Sequence, residues 1–197
     1  MKYNTYKCFT IGQYEKEEKW LNEMSAKGMQ LTDVGFCRYT FVKGTPGEYI
    51  YRLELLEHMP GSAESVSYIS FLEETGIEQV GSILRWIYLR KKASDGPFEL
   101  YSDTESKINH YKRILFIADI MSIALLFSFL PNLTRLIFKI IELVKMYGSF
   151  DSFFMRQLNP HAGFTIFYFA LIAFLQLVVL PIRKSKFKLI KEKTVHE

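Results

Sequence analysis

Few residues in this chain are spaced for catalysis. The four histidines, His58, His110, His161 and His196, stand too far apart to share a metal at motif spacing. No glycine-rich loop has the form that cradles phosphate. Glu15, Glu17 and Glu18 open an expected helix, where carboxylates favour the dipole without doing chemistry. The chain therefore reads as a non-enzyme with no catalytic residue, no cofactor and no metal. Cys8 and Cys37 are too few for a disulfide framework and read as reduced, buried thiols. The sharpest single residue is Asp119, which falls inside an apolar run. An acid at membrane depth is a candidate proton or cation site. Gln176 lies at similar depth in a second run, so Asp119 and Gln176 read as an intramembrane polar pair. Ser122, Ala170 and Ala173 add the small residues of a helix-helix seam.

A second group could hold a ligand. Glu48 to Leu56 and Arg85 to Arg90 have the β-branched and aromatic content of strands. Alternation puts Tyr49 and Tyr51 on one face of the first strand and Trp86 and Tyr88 on one face of the second; with Arg52 and Arg85 near them, these six residues are a candidate ligand or partner face. The signature of RNA-stacking sheets is absent and the net charge is only +4, so nucleic acid is not an expected partner.

Those strands belong to a soluble half that echoes itself. Trp20-Leu21-Asn22-Glu23-Met24-Ser25-Ala26-Lys27-Gly28-Met29 matches Tyr68-Ile69-Ser70-Phe71-Leu72-Glu73-Glu74-Thr75-Gly76-Ile77 in pattern. Each reads as a helix closed by glycine. Val34-Gly35 and Val80-Gly81 follow, and a glycine there suggests a strand bulge. Arg38 to Lys43 then reads as a strand, and Tyr6 to Ile11 as another. Lys43-Gly44-Thr45-Pro46-Gly47 reads as a tight reversal into Glu48 to Leu56. The resulting order, β-α-β-β-α-β, is a ferredoxin-like α+β arrangement over residues 1–92.

Residues 93–113 follow as linker and juxtamembrane helix, with Ser102 as N-cap and Glu105 three positions on. A continuous helix would couple the soluble domain stiffly to the bilayer. Residues 114–130 and 164–182 are apolar runs of about 25 and 28 Å at helical rise, close to a hydrocarbon core of roughly 30 Å. Together they make a transmembrane hairpin. Residues 131–163 form an external connection with an amphipathic interfacial helix at 133–146, then the aromatics Tyr147, Phe150, Phe153 and Phe154. Residues 183–197 are a basic tail carrying Arg183, Lys184, Lys186, Lys188, Lys191 and Lys193. With Lys107, Lys112 and Arg113 before the first span, the bias puts both termini in the cytoplasm. The polar N-terminus lacks the core of a secretory signal.

Three blocks carry a resemblance: Glu17-Glu18-Lys19-Trp20-Leu21-Asn22-Glu23-Met24-Ser25-Ala26-Lys27-Gly28, Gly35-Phe36-Cys37-Arg38-Tyr39-Thr40-Phe41 and Gly47-Glu48-Tyr49-Ile50-Tyr51-Arg52-Leu53. With Tyr101 to Lys107 they resemble the DUF2812 family of bacterial membrane proteins. Met29 and Ile77 stand where that family tends to carry an aromatic. The resemblance implies a multi-pass protein of the bacterial cell membrane, often encoded beside PadR-like regulators, with no catalytic residues to carry over. The function expected is a membrane-anchored cytoplasmic binding or sensory module with a regulatory role. Its partners would be the lipid bilayer, a membrane or regulatory protein and further copies of itself. The alternative is an accessory subunit or small oligomeric transporter using Asp119.

Overall fold

The computed structural model describes residues 1–101, 103–147 and 152–196. Ser102 and Phe150 lie outside the described residues, as do the side chains of Tyr147, Phe153, Phe154 and His161. The chain divides into two compact units, one of Met1–Ile114 with Pro181–Glu197 and one of Leu115–Leu180.

The first unit is built from one motif used twice. Strand β1 (Lys2–Tyr6), helix α1 (Tyr14–Ala26), β2 (Met29–Gly35) and β3 (Arg38–Lys43) form the first copy. Strand β4 (Tyr49–Leu55), helix α2 (Ala63–Glu74), β5 (Ile77–Ile83) and β6 (Trp86–Lys92) form the second. Each copy makes its own antiparallel sheet, in the orders β1-β3-β2 and β4-β6-β5. The ferredoxin-like expectation of four strands in one sheet is thus corrected to six strands in two. Two of the strands, β2 and β5, were not expected. Their Gln, Asp, Glu and Gly residues are poor strand formers, and pairing with β3 and β6 overrides that preference.

The repeat is geometric as well as sequential. Gly28 and Gly76 both follow a helix at positive φ, 76 and 81, which only glycine adopts without penalty. The register slips at Thr32 in β2, between Leu31 and Asp33. It slips at Val80 in β5, between Gln79 and Gly81. The bulge is the reason strict alternation fails: Leu31 and Val34, three apart, are both buried. The segment Lys43–Gly47 is not a hairpin turn. Strand β3 already pairs on both sides, so it has no edge left for β4, and the chain crosses to the other sheet.

Cys8 and Cys37 are joined in a disulfide, with Cα atoms 4.6 Å apart. This corrects the expectation of reduced, buried thiols: Cys8 is exposed and Cys37 half-buried. It ties the segment after β1 to the β2–β3 loop, beside the hydrogen bond from the Lys7 N–H to the Cys37 carbonyl. The second copy has its own core of Leu56, Leu72, Ile77, Ile87, Leu89 and Phe98. Each such side chain contributes roughly 1.5–3 kcal/mol on burial. Ser62 caps α2 by accepting the Ser65 N–H at 3.2 Å.

Helix α3 (Thr104–Tyr147) and helix α4 (Ser152–His196) complete the chain. Asp103 is the cap of α3, its carboxylate accepting the Ser106 N–H at 2.7 Å. Residues 133–146 continue this helix rather than form a separate one, and the helix passes through Pro131. Both helices are long and apolar enough to cross a membrane, and their most apolar windows are only 28% and 11% buried. A helix from the core of a soluble protein would be mostly covered. In the second unit the two pair through Gln176 Nε2 to Ser122 Oγ at 2.8 Å, Ser128 to Tyr168 at 3.3 Å, and Phe129 against Phe169.

A close approach joins the two sheets. A Cβ on Gly81 would lie 2.7 Å from Val34 Cγ1, a stiff branched side chain that is itself buried. Gly81→Ala should destabilise the full chain by about 1–3 kcal/mol through overpacking. Adding Val34→Ala should recover part of that loss, so a denaturation double-mutant cycle in detergent should show favourable coupling.

Candidate functional site

Helix α1 carries two polar faces with different tasks. Glu17 is buried, and its Oε1 accepts the hydroxyls of Tyr39 and Tyr88, each at 2.6 Å. Those tyrosines sit on β3 and β6, the central strands of the two sheets. Burial pushes the Glu17 carboxyl up, against the pull of the two tyrosine hydroxyls. The neighbouring face meets the outer edge of β4. Glu18 Oε1 accepts the Leu53 N–H at 2.8 Å. Asn22 accepts the Tyr51 N–H at 2.8 Å and donates to the Tyr51 carbonyl at 3.0 Å. Ser25 Oγ donates to the Tyr49 carbonyl at 2.6 Å. Positions 18, 22 and 25 fall on one helical stripe. That spacing was available in the sequence but carried no meaning until β4 was known to be an edge.

The start of α3 is seated on this frame. His110 is fully buried among the rings of Tyr14, Trp86, Tyr101 and Tyr111. Neither imidazole nitrogen has a hydrogen-bond partner, and the Tyr101 hydroxyl and Arg113 Nε are likewise buried without one. Unpaired buried donors cost about 1–3 kcal/mol each, and such groups often mark function. Around this cage, Tyr111 donates to Glu15 at 2.8 Å. Glu54, buried, accepts Tyr68 at 2.7 Å and pairs with Arg113 at 3.2 Å.

Two cavities flank the seat, and Tyr101 lines both. The first, about 450 Å³, has Glu15, Glu18, Arg52, Asp103 and Lys107 in its wall, with Leu189 of α4. The second, about 590 Å³, includes Glu54, His58, Tyr68, Asn109 and Arg113. Volumes of this size suit a small ligand, and carboxylates outnumber cations in both.

The face expected from the strands is not assembled as one surface. Tyr51 is fully buried and Tyr88 nearly so, both under α1. The Tyr51 hydroxyl accepts the Leu31 N–H at 3.0 Å. Trp86 packs on Tyr14 and His110. Arg85 donates to the Leu56 carbonyl at 2.8 Å, and Tyr49 lies under the Arg90 guanidinium. Arg52 lines the first of the two cavities, while Trp86 and Tyr88 line a separate, smaller one beside Phe36. Alternation showed which residues share a strand face but not that a helix covers it. In the apolar unit, Gln176 reaches Ser122, while Asp119 is half-buried with an interaction of its own.

Residues 13–126 match the family described as "Protein of unknown function (DUF2812)", more than half of the 197 residues. The chain belongs to the DUF2812 family. No curated protein and no solved structure matches it. In this DUF2812 protein the matched stretch takes in α1 to β6, the seat of α3 and much of the first apolar run, but not α4. Among the described residues there is no group of acids, histidines and cysteines placed to hold a metal.

Glu18 links the frame to the first cavity, and burial pushes its carboxyl up to about 7, against the Leu53 N–H and Arg52. A carboxyl raised above its unfolded value near 4.5 leaves the fold most stable below that value. Stability is then lost as pH rises from about 4.5 to about 7. Glu17 and Glu54 are shifted in the same direction by burial. Denaturation midpoints of the full chain in detergent should fall across this window, and Glu18→Gln should flatten the slope. An unchanged slope would show that Glu18 titrates normally.

Proposed function

We infer that this protein is a membrane-anchored module whose α/β unit binds a polar small molecule beside α3 and signals its presence through that helix. The observation that supports this most is Tyr101. Its hydroxyl is buried without a partner, and the residue lines both cavities beside the first turns of the helix. A ligand there would meet Arg52 and Lys107 on one side and Arg113 with Glu54 on the other. It would therefore alter the contacts that seat α3, and a helix continuous from Thr104 to Tyr147 carries such a change onward. The excess of carboxylates favours a cationic or zwitterionic ligand. A regulatory or membrane protein would read the change, and no bond-making step is assigned.

The Lys/Arg bias supports both termini on the cytoplasmic side of the bacterial membrane. Disulfides are rare in that compartment, so the Cys8–Cys37 pair, with its Cys8 side exposed, is read as a reducible one. A C-terminal green fluorescent protein fusion should fluoresce while a C-terminal alkaline phosphatase fusion stays inactive. The opposite result would place the α/β unit on the oxidising side.

The binding reading is tested with a photo-crosslinking residue at Asn109, in the wall of the second cavity, in native membranes. A small-molecule adduct should form on the full chain and disappear with Tyr101→Phe. Asp119→Asn should leave the adduct intact. Loss with Asp119→Asn but not with Tyr101→Phe would favour the transport alternative. Contacts with other copies of the chain alone would remove the ligand.

A further inference from the structure

The two hairpin loops of the α/β unit are built from residues that such loops normally avoid. Each is a two-residue reversal, Phe36-Cys37 between β2 and β3 and Leu84-Arg85 between β5 and β6. Two-residue hairpin loops favour Asn and Gly, because a residue there must take positive φ. Here Cys37 and Leu84 take it, each at φ 54. Phe36 is 90% exposed and Leu84 is 76% exposed. A leucine held in a strained backbone and pointed at solvent adds nothing to the core, which directs attention to what it touches.

Both loops lie at the same end of the unit. Phe36, Ile83 and Trp86 line one small cavity with Phe9, Ile11 and Tyr14. Tyr6, also exposed, pairs with Arg38 at this end. Met59, exposed too, lies just beyond β4, whose last residue Leu55 pairs with Trp86. Reversals at the other end of the strands are polar: Lys27-Gly28, Lys43-Gly44-Thr45-Pro46-Gly47-Glu48 and Glu73-Glu74-Thr75-Gly76. The exposed apolar loop side chains therefore collect at one end only.

Helix α3 packs against that end through His110. The Trp86 ring is 5.9 Å from His110. Ile114, the first residue of the apolar run, follows His110 by about one turn, or roughly 6 Å. Basic groups stand among the exposed apolar ones. Lys7 lies over the Phe9 and Trp20 rings. Arg38 is bridged to Asp33 at 3.1 Å. Arg85 is anchored on the Leu56 carbonyl. Exposed aromatic and aliphatic tips with nearby cations are the composition of a surface that settles into an acidic lipid interface.

We propose that the end of the α/β unit formed by Tyr6, Phe36, Met59 and Leu84 rests in the head-group layer of an acidic bilayer. The apolar tips enter the boundary between head groups and chains, and Lys7, Arg38 and Arg85 face lipid phosphates. The unit is then held to the membrane at its hairpin tips as well as through its helices. This contact is independent of the cavities around Tyr101.

The test uses the full chain reconstituted in vesicles of phosphatidylcholine and phosphatidylglycerol. A benzophenone amino acid replaces Phe36 or Leu84, and Phe71, exposed on α2, serves as the control position. Irradiation and mass spectrometry should find several-fold more lipid adduct at 36 and 84 than at 71. Replacing phosphatidylglycerol with phosphatidylcholine should lower the adducts at 36 and 84. Equal lipid adducts at all three positions would overturn the proposal. So would crosslinks from 36 and 84 to a second copy of the chain, because that copy would then be what covers the tips. An intact Cys8–Cys37 disulfide in each variant checks that the loop region is folded.

Discussion

Backbone groups along the outer edge of β4 need partners, and a helix from the other half of the unit supplies them. Glu18, Asn22 and Ser25 on α1 satisfy the free groups of Leu53, Tyr51 and Tyr49. An unpaired sheet edge is a site for aggregation or added strands, and covering it with a helix removes that hazard. The same helix uses Glu17 to hold Tyr39 and Tyr88, one from each central strand. One helix face thus fixes the edge of the second sheet, and its neighbour ties both sheets together. The repeated motif is not two independent domains side by side, because the first copy completes the second.

The seat of α3 depends on that brace. Tyr14 begins α1 and forms one wall of the cage around His110, while Glu15 receives Tyr111. Trp86 forms a second wall from the start of β6, and β6 is held by Glu17 through Tyr88. The α3 contacts therefore report the positions of both copies at once. Burying a histidine and an arginine nitrogen without partners is costly, and Tyr101, whose hydroxyl is also unpaired, lines both cavities.

The repeat was legible because its signals are local. A helix closed by glycine at Gly28 and again at Gly76 needs only the neighbouring residues to be read. The apolar runs were legible for the same reason, since length and composition suffice. The strands β2 and β5 were not legible. Gln30, Asp33, Glu78 and Gly81 discourage the assignment, and the bulges at Thr32 and Val80 break alternation where it would have been counted. The Cys8–Cys37 pairing was not legible either, because it depends on the β1–β3 register, which places Tyr6 opposite Arg38.

The sequence by itself determined the duplicated helix-strand motif, the two apolar helices, the boundary near Ile114 and membership of the DUF2812 family. Each of these rests on patterns a few residues wide, or on residue blocks along the chain. Tertiary structure alone decided that β3 and β6 would each be flanked on both sides, which turns Lys43–Gly47 into a crossover rather than a hairpin. It also decided that Tyr51 and Tyr88 would be core and that Tyr101 would sit between two cavities. Those outcomes depend on which backbone groups find partners at a distance, and hydrogen-bond satisfaction across the whole unit is not a property of any single stretch of chain.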